Sequence, residues 1–323
     1  MWLRTGSLLA LVGLSLLSIP SSAVTIEWVL VGEPGNPPDP DVDNCWNAGT
    51  CGAVDHVFLI SKYEITNAQY AEFLNAKAAD DPHGLYNPQM AADEDLGGIV
   101  RSGEPGSYSY APKPGFANKP VTYVSFWDVL RFVNWLNNGQ GDGDTETGSY
   151  TLTPEGIANN TVTRNPGAEI VLPTENEWYK AAYYVGGGTY YDYPTPDDHY
   201  IVCVPPEQDE GHMANCSSSV WELTEVGAYA LTVGPWGTYD QVGNAWELNE
   251  TIMAAGTRGR RGSGAGANFI NTVASAWAYE GVTTEFGTIG FRVARLLPEP
   301  GAMACAVTAL AALAALASRR RRA

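Results

Sequence analysis

The sequence predicts an α+β domain of short strands and long loops, on three observations. Three segments open with a hydroxyl residue, carry an acidic or amide side chain three positions later, and continue with apolar residues at helical spacing. Runs of β-branched and aromatic residues are short, bounded by turn formers. The 35 glycines and 21 prolines are spread along the 323 residues rather than gathered into a linker, which favours one loop-rich unit over two packed ones. No repeat of solenoid length interrupts this pattern.

The first helix is expected to start at Thr66, with Gln69 closing the capping box and Tyr70, Phe73 and Leu74 on one face. A second starts at Ser125, boxed by Asp128, and aligns Val129, Phe132, Val133 and Leu136. A third starts at Thr174, boxed by Glu177, and turns Trp178, Ala181 and Ala182 inward. These aromatics read as core. Strands are expected at Val57–Ile60, Val121–Val124, Ile170–Leu172 and Gly290–Arg295.

The ends read as sorting devices. Arg4, the apolar run Leu8–Leu17 and the small-residue exit Ser21-Ser22-Ala23 have the order of a secretory signal, with cleavage expected after Ala23; the run is shorter than the ~20 residues a bilayer span needs. At the other end stand Pro298-Glu299-Pro300, an uncharged Ala/Leu-rich segment from Gly301 to Ser318, and Arg319–Arg322. That order resembles the PEP-CTERM tag of bacterial envelope proteins, which implies an exosortase-type sorting protease as partner. A plain C-terminal anchor, held by the arginines on the cytoplasmic side, is the alternative.

The formal charge is −18, and setting aside Arg4 and the four tail arginines takes it to −23. Such a polyanion does not bind nucleic acid. Export suits the cysteines: of the three pairings that Cys45, Cys51, Cys203 and Cys216 allow, the two local ones are simplest, so disulfides Cys45–Cys51 and Cys203–Cys216 are expected. Cys305 lies in the sorting segment, where lipidation and simple apolar filling are both open.

Five ordered blocks carry a family resemblance: Ile60-Ser61-Lys62-Tyr63-Glu64-Ile65-Thr66-Asn67-Ala68-Gln69-Tyr70, Pro120–Asp128, Leu172–Trp178, Asp240–Glu247 and Gly290–Ala294. Together, over residues 26–296, they resemble the formylglycine-generating enzyme, or sulfatase-modifying factor, family. The resemblance implies a variant of the C-type-lectin-like fold. It also implies a Gly-Gly-Ser turn leading to two cysteines that hold copper and activate oxygen. Here the turn is Arg261-Gly262-Ser263-Gly264, the thiol positions fall on Gly266 and Asn271, and Thr288 stands where an asparagine is expected. No cysteine lies between Cys216 and Cys305. Glycine and asparagine cannot offer sulfur to Cu(I), so copper is not expected.

A related iron-dependent branch uses three histidines, but His56, His83, His199 and His212 lie in different loops without a paired spacing. The resemblance also implies a Ca²⁺ site built from Asp240, the carbonyls of Gly243 and Ala245, and Glu247, an oxygen set that a hard cation accepts. A second family calcium site has Asn215 in place but Gly227 where aspartate is wanted. Asp142-Gly143-Asp144-Thr145-Glu146 starts like an EF-hand loop but has Thr147 and Thr153 at the positions needing glycine and glutamate, so it reads as a solvated loop. Asp39–Asp43 and Asp93–Asp95 read as exposed charge.

The segment from Gly262 to Thr288 interleaves small polar residues with aromatics, a mixture suited to adaptable recognition. Ser263, Asn268, Phe269, Asn271, Trp277 and Tyr279 are the candidate ligand-binding residues, for a glycan or an envelope protein, with core packing of Phe269, Trp277 and Tyr279 as the competing reading. The sequence thus favours an exported, non-catalytic binding or structural module of the cell envelope or an exopolysaccharide matrix. The alternative is an oxidoreductase-like formylglycine-generating enzyme homologue with residual or altered activity.

Overall fold

The computed structural model describes residues 23–46 and 50–298. The expected leader through Ser22 and the expected tail from Glu299, including Cys305, lie outside the described residues. Among the described residues no helix is long and apolar enough to cross a membrane.

All three expected helices form, at Asn67–Lys77, Phe126–Asn137 and Glu175–Tyr183, each with a reciprocal capping box. At the first, Thr66 Oγ1 accepts from the Gln69 N–H while Gln69 Oε1 accepts from the Thr66 N–H, so two otherwise unpaired donors are satisfied together. The inward faces meet as read: Phe132 stacks on Tyr70 at 5.7 Å and stands edge-on to Phe73 and Phe291, each at 5.4 Å. One aromatic knot thereby joins two helices to the strand Ile289–Phe291.

Two four-stranded sheets frame the core. In the first, Trp28–Val31, Phe58–Ser61, Ala294–Leu296 and Ile170–Val171 lie side by side, all antiparallel. In the second the order is Ala278–Gly281, Thr257–Arg261, Trp246–Ala254 and Ile289–Phe291, the last pair parallel. The expected strand Gly290–Arg295 is therefore two strands in different sheets, and the chain crosses between them at Arg292 and Val293.

Val121–Val124 is not a strand. Val121 and Val124 are buried as a strand's apolar positions would be, but the backbone donors go to separate partners: Val121 N–H to Ile65 O at 2.8 Å and Tyr123 N–H to Phe286 O at 3.1 Å. Tyr123 itself sits at φ 59°, which ends any extended run. Asp39 is also not exposed charge. It is buried, accepting from Tyr179 Oη at 2.6 Å and Asn44 Nδ2 at 3.3 Å. Both expected disulfides, Cys45–Cys51 and Cys203–Cys216, are present.

Candidate functional site

The centre of the molecule is a buried charge cluster at the crossing between the sheets. Arg292 forks onto Glu247, Nε to Oε2 at 2.5 Å and Nη2 to Oε1 at 2.6 Å, and its remaining donors reach Ser61 O at 3.1 Å and Tyr239 O at 2.8 Å. Trp178 Nε1 donates to the same Glu247 Oε2 at 2.6 Å. Glu64 faces this pair, accepting from the Ala245 N–H at 3.1 Å and Asn244 Nδ2 at 3.0 Å. Asp240 Oδ2 accepts from the Gly227 N–H at 2.6 Å. Three buried carboxylates thus share one guanidinium. Burial, followed by the neighbouring Asp240 and Glu247 charges, pushes Glu64 well above the usual carboxylate range. Burial likewise pushes Asp240 up to about 6 against the pull of the Gly227 N–H and Arg292.

The turn that carries this cluster is tightly folded, with Asp240 at φ 56°, Gly243 at φ 79° and Asn244 at φ 58°. A Cβ on Gly243 would stand 2.6 Å from the Asn215 carbonyl oxygen, so this position needs glycine both for its φ and for its space.

Of the four residues expected to hold calcium, Glu247 has both carboxylate oxygens engaged by Arg292 and Trp178, whereas Asp240 engages only Oδ2 in a hydrogen bond. Among the described residues, no three His, Cys, Asp or Glu side chains converge as a metal site by themselves. The oxygens of the expected set that are not already taken by side-chain donors are those of Asp240, through Oδ1, and the Gly243 and Ala245 carbonyls, the kind of oxygen a hard cation accepts.

The candidate ligand-binding residues separate. Ser263, at φ 67°, is fully buried and its Oγ has no hydrogen-bond partner. Gly264 follows it against Trp246, whose Cδ1 would lie 2.9 Å from an added Cβ. Beyond them the turn comes to the surface: Gly266 is exposed and an added Cβ would meet nothing within 4 Å. A strap formed by Ser217 and Ser218, at φ 52° and 56°, runs alongside, donating to Ala267 O at 2.8 Å and Ala265 O at 2.7 Å. Cys216, disulfide-bonded to Cys203, anchors the strap's start.

Asn268 caps the short helical turn Phe269–Thr272, its Oδ1 accepting from the Ile270 N–H at 3.2 Å. Phe269 and Ile270 are 61% and 62% exposed and line a cleft of about 410 Å³ with Tyr193, Tyr200 and Val273. Asn271 is half-buried beside them. Trp277 belongs to a second group, edge-on to Trp46 at 4.5 Å, with Tyr279 at 6.4 Å from Trp46. Core packing does not describe Phe269 or Tyr279, both exposed, and only partly describes Trp277.

Three residues that sequence reasoning passed over belong here: Trp46, Ile270 and Tyr200. Ile270 sat inside the segment singled out, but the other two come from loops whose approach no local pattern reveals. The arginines near the turn are structural. Arg258 donates to Glu250 O and Val162 O, Arg261 pairs with Glu175 at 2.6 Å, and Arg260 lies over the Trp246 ring at 4.6 Å. His199 and His212 are brought together, rings 5.6 Å apart.

The model of the sulfatase-modifying factor enzyme 1-like domain matches residues 49–297. Among solved structures the chain is similar to CarF, at 19% identity and TM-score 0.52, covering 85% of this chain and 99% of that one. It is similar also to variable protein 1 of Treponema denticola, at 16% identity and TM-score 0.51, covering 84% and 95%. PvdO of Pseudomonas aeruginosa aligns at 17% identity with TM-score 0.47, over 84% and 94%. At these identities the likeness to CarF and the Treponema protein is one of fold. No curated protein matches the chain.

Proposed function

Since the chain belongs to the sulfatase-modifying factor enzyme 1-like domain family, we propose that it uses the family frame, C-type-lectin-like in type, as a non-catalytic binding or structural module. It is exported to the cell envelope or an exopolysaccharide matrix and sorted through its PEP-CTERM-like tail by an exosortase-type protease. The observation that carries this reading is the thiol inventory. No cysteine lies between Cys216 and Cys305, and the four cysteines of the folded domain are paired with each other. A copper–thiolate oxidation has no sulfur to work with on the Gly262–Thr288 stretch.

The same stretch offers Phe269 and Ile270 over one cleft and Tyr279 beside Trp277 and Trp46, aromatic faces that suit sugar rings or apolar patches of an envelope protein. Ca²⁺ held by Asp240 with the Gly243 and Ala245 carbonyls would brace the turn from which this stretch departs. Its role in this reading is structural.

The test is recovery of envelope glycan or matrix material on immobilised protein, compared with Phe269→Ala and Trp277→Ala. Loss in either variant at unchanged melting temperature supports the reading. Full retention in both, or aldehyde formation on a sulfatase-type cysteine peptide with copper and oxygen, overturns it.

A further inference from the structure

A cleft of about 800 Å³ lies elsewhere, between the Pro205–Glu207 turn, Asp95 and the segment Ser219–Glu225. Its most unusual member is Trp221, 83% exposed, more than any other large apolar side chain among the described residues. An indole presented to water at the mouth of a cleft gains nothing for folding, and exposed apolar surface of that kind marks contact sites.

The polar groups around it have one sign. Asp95, Glu207, Glu222 and Glu225 line the cleft with a single cation, Lys119. Lys119 is already committed: its Nζ lies 2.7 Å from Glu222 Oε2 and 4.2 Å from the centre of the Phe116 ring. That leaves three carboxylates facing the cleft outside any ion pair among the described residues, Glu207, Glu225 and Asp95, the last of them within the field of Lys113. One further group on the wall is orphaned: Ser219 Oγ has no hydrogen-bond partner. Behind the wall, Oδ1 of the buried Asn215 is likewise unpartnered, while its Nδ2 donates to the carbonyl of the lining residue Glu222 at 2.9 Å. Every unsatisfied group named here can accept, so the complementary ligand is rich in N–H donors and positively charged.

We propose that this cleft binds an organic cation, an alkylammonium or guanidinium group laid over the Trp221 ring with its N–H donors turned to Glu207, Glu225 and Asp95. The indole face attracts a cation through its quadrupole, and the carboxylates add a field that water screens incompletely within a concave wall. Phosphates and acidic sugars are disfavoured by the same field. The proposal uses no residue of the 268–279 segment, so it stands or falls apart from the function proposed above. The cation comes either from a free polyamine or from basic side chains of a peptide, and the two sources are separable by experiment.

Calorimetric titration of the purified protein with spermidine and with a tetra-arginine peptide tests it. Saturable binding of one or both is expected, weakening with added salt, with at least a tenfold loss of affinity in Trp221→Ala and in Glu207→Gln/Glu225→Gln. Preference for spermidine identifies a small amine as the ligand type, and preference for the peptide identifies a basic segment of a partner. Because the whole surface is acidic, Trp221→Ala is the decisive variant: it leaves every charge in place, and the ring's exposure makes its removal harmless to the fold. Binding unchanged in Trp221→Ala, no binding of either probe at millimolar concentration, or displacement of the probes by a neutral oligosaccharide would each overturn the proposal.

Discussion

Asp128→Asn should flatten the dependence of stability on pH. Asp128 closes the capping box of the 126–137 helix: its Oδ2 accepts from the Ser125 N–H at 2.9 Å and from Ser125 Oγ at 2.6 Å. The nearby cation does not neutralise it, since Arg131 stands 3.9 Å away and spends its fork on Glu146 at 2.6 and 3.0 Å. Burial therefore pushes this carboxyl up to about 7, against the Ser125 hydrogen bonds. An unfolded aspartate titrates near ~3.9. Because the folded value is the higher one, the native state holds the proton more tightly, and stability falls as pH rises from about 4 to about 7. With 1.36 kcal/mol for each pH unit between the two values, the penalty reaches about 4 kcal/mol above pH 7, and about 2–3 kcal/mol of it develops between pH 5 and 8. Asparagine carries no charge and can still accept both Ser125 donors through Oδ1. Urea unfolding of the two proteins, followed by tryptophan fluorescence at pH 5 and pH 8, reads the difference directly. The variant should gain about 2 kcal/mol or more on the natural chain between the two pH values. An equal gap at both, or one that narrows with rising pH, refutes the reasoning.

Arg292→Leu should cost about 3–5 kcal/mol, because it strands a buried carboxylate, and Glu247 then faces Glu64 and Asp240 with no guanidinium; a melting temperature within a degree or two of the natural chain contradicts that role. Calcium titration should raise the melting temperature, by an amount corresponding to about 2.7 kcal/mol at a hundredfold excess over Kd, and Asp240→Asn should abolish the rise. A rise that survives that substitution places the cation elsewhere.

The helices were legible because their signals are local. A hydroxyl three positions ahead of an acid or amide, followed by apolar spacing, describes a single turn and needs nothing distant, and all three boxes close as read. The longest strand, Trp246–Ala254, was hidden because its burial does not alternate and its pairing with Thr257–Arg261 contains register shifts. Val121–Val124 misled for the opposite reason: its apolar pattern reflects core contact, while its donors serve other segments. One member of the expected site, Glu247, sits in the central cluster with Arg292 and Trp178, while Asp240 binds the Gly227 N–H and the Gly243 N–H goes to Gly262 O. Its electrostatic partner Glu64 stood in a quoted block but carried no role, because pairing over 181 positions to the Ala245 N–H leaves no trace in local order. The aromatic faces split for the same reason. Trp46 and Tyr200 reach Trp277 and Phe269 through folding alone, and the single stretch of sequence becomes two surfaces.

The residues by which the family is recognised and the residues its oxidative chemistry would require occupy different parts of this molecule. Trp178, Gly243, Glu247 and Arg292 are buried; Trp178, Glu247 and Arg292 are bound together at the crossing between the two sheets, and the Gly243 N–H is tied to Gly262 O. Losing one would damage the fold. Gly266, where a thiol is wanted, is exposed and has open space around it, and no neighbour contacts a side chain there. A substitution at that position therefore has almost no structural consequence, whereas one at Arg292 exposes a buried charge imbalance. Thiols can be lost from such a scaffold without weakening it, so the recognisable motifs report the frame and its charge cluster and carry no information about whether oxidation persists. On the proposed reading, the aromatic faces flanking the 269–279 segment and the acidic cleft under Trp221 are the working surfaces, and those are the places where substitutions should alter binding while leaving the melting temperature unchanged.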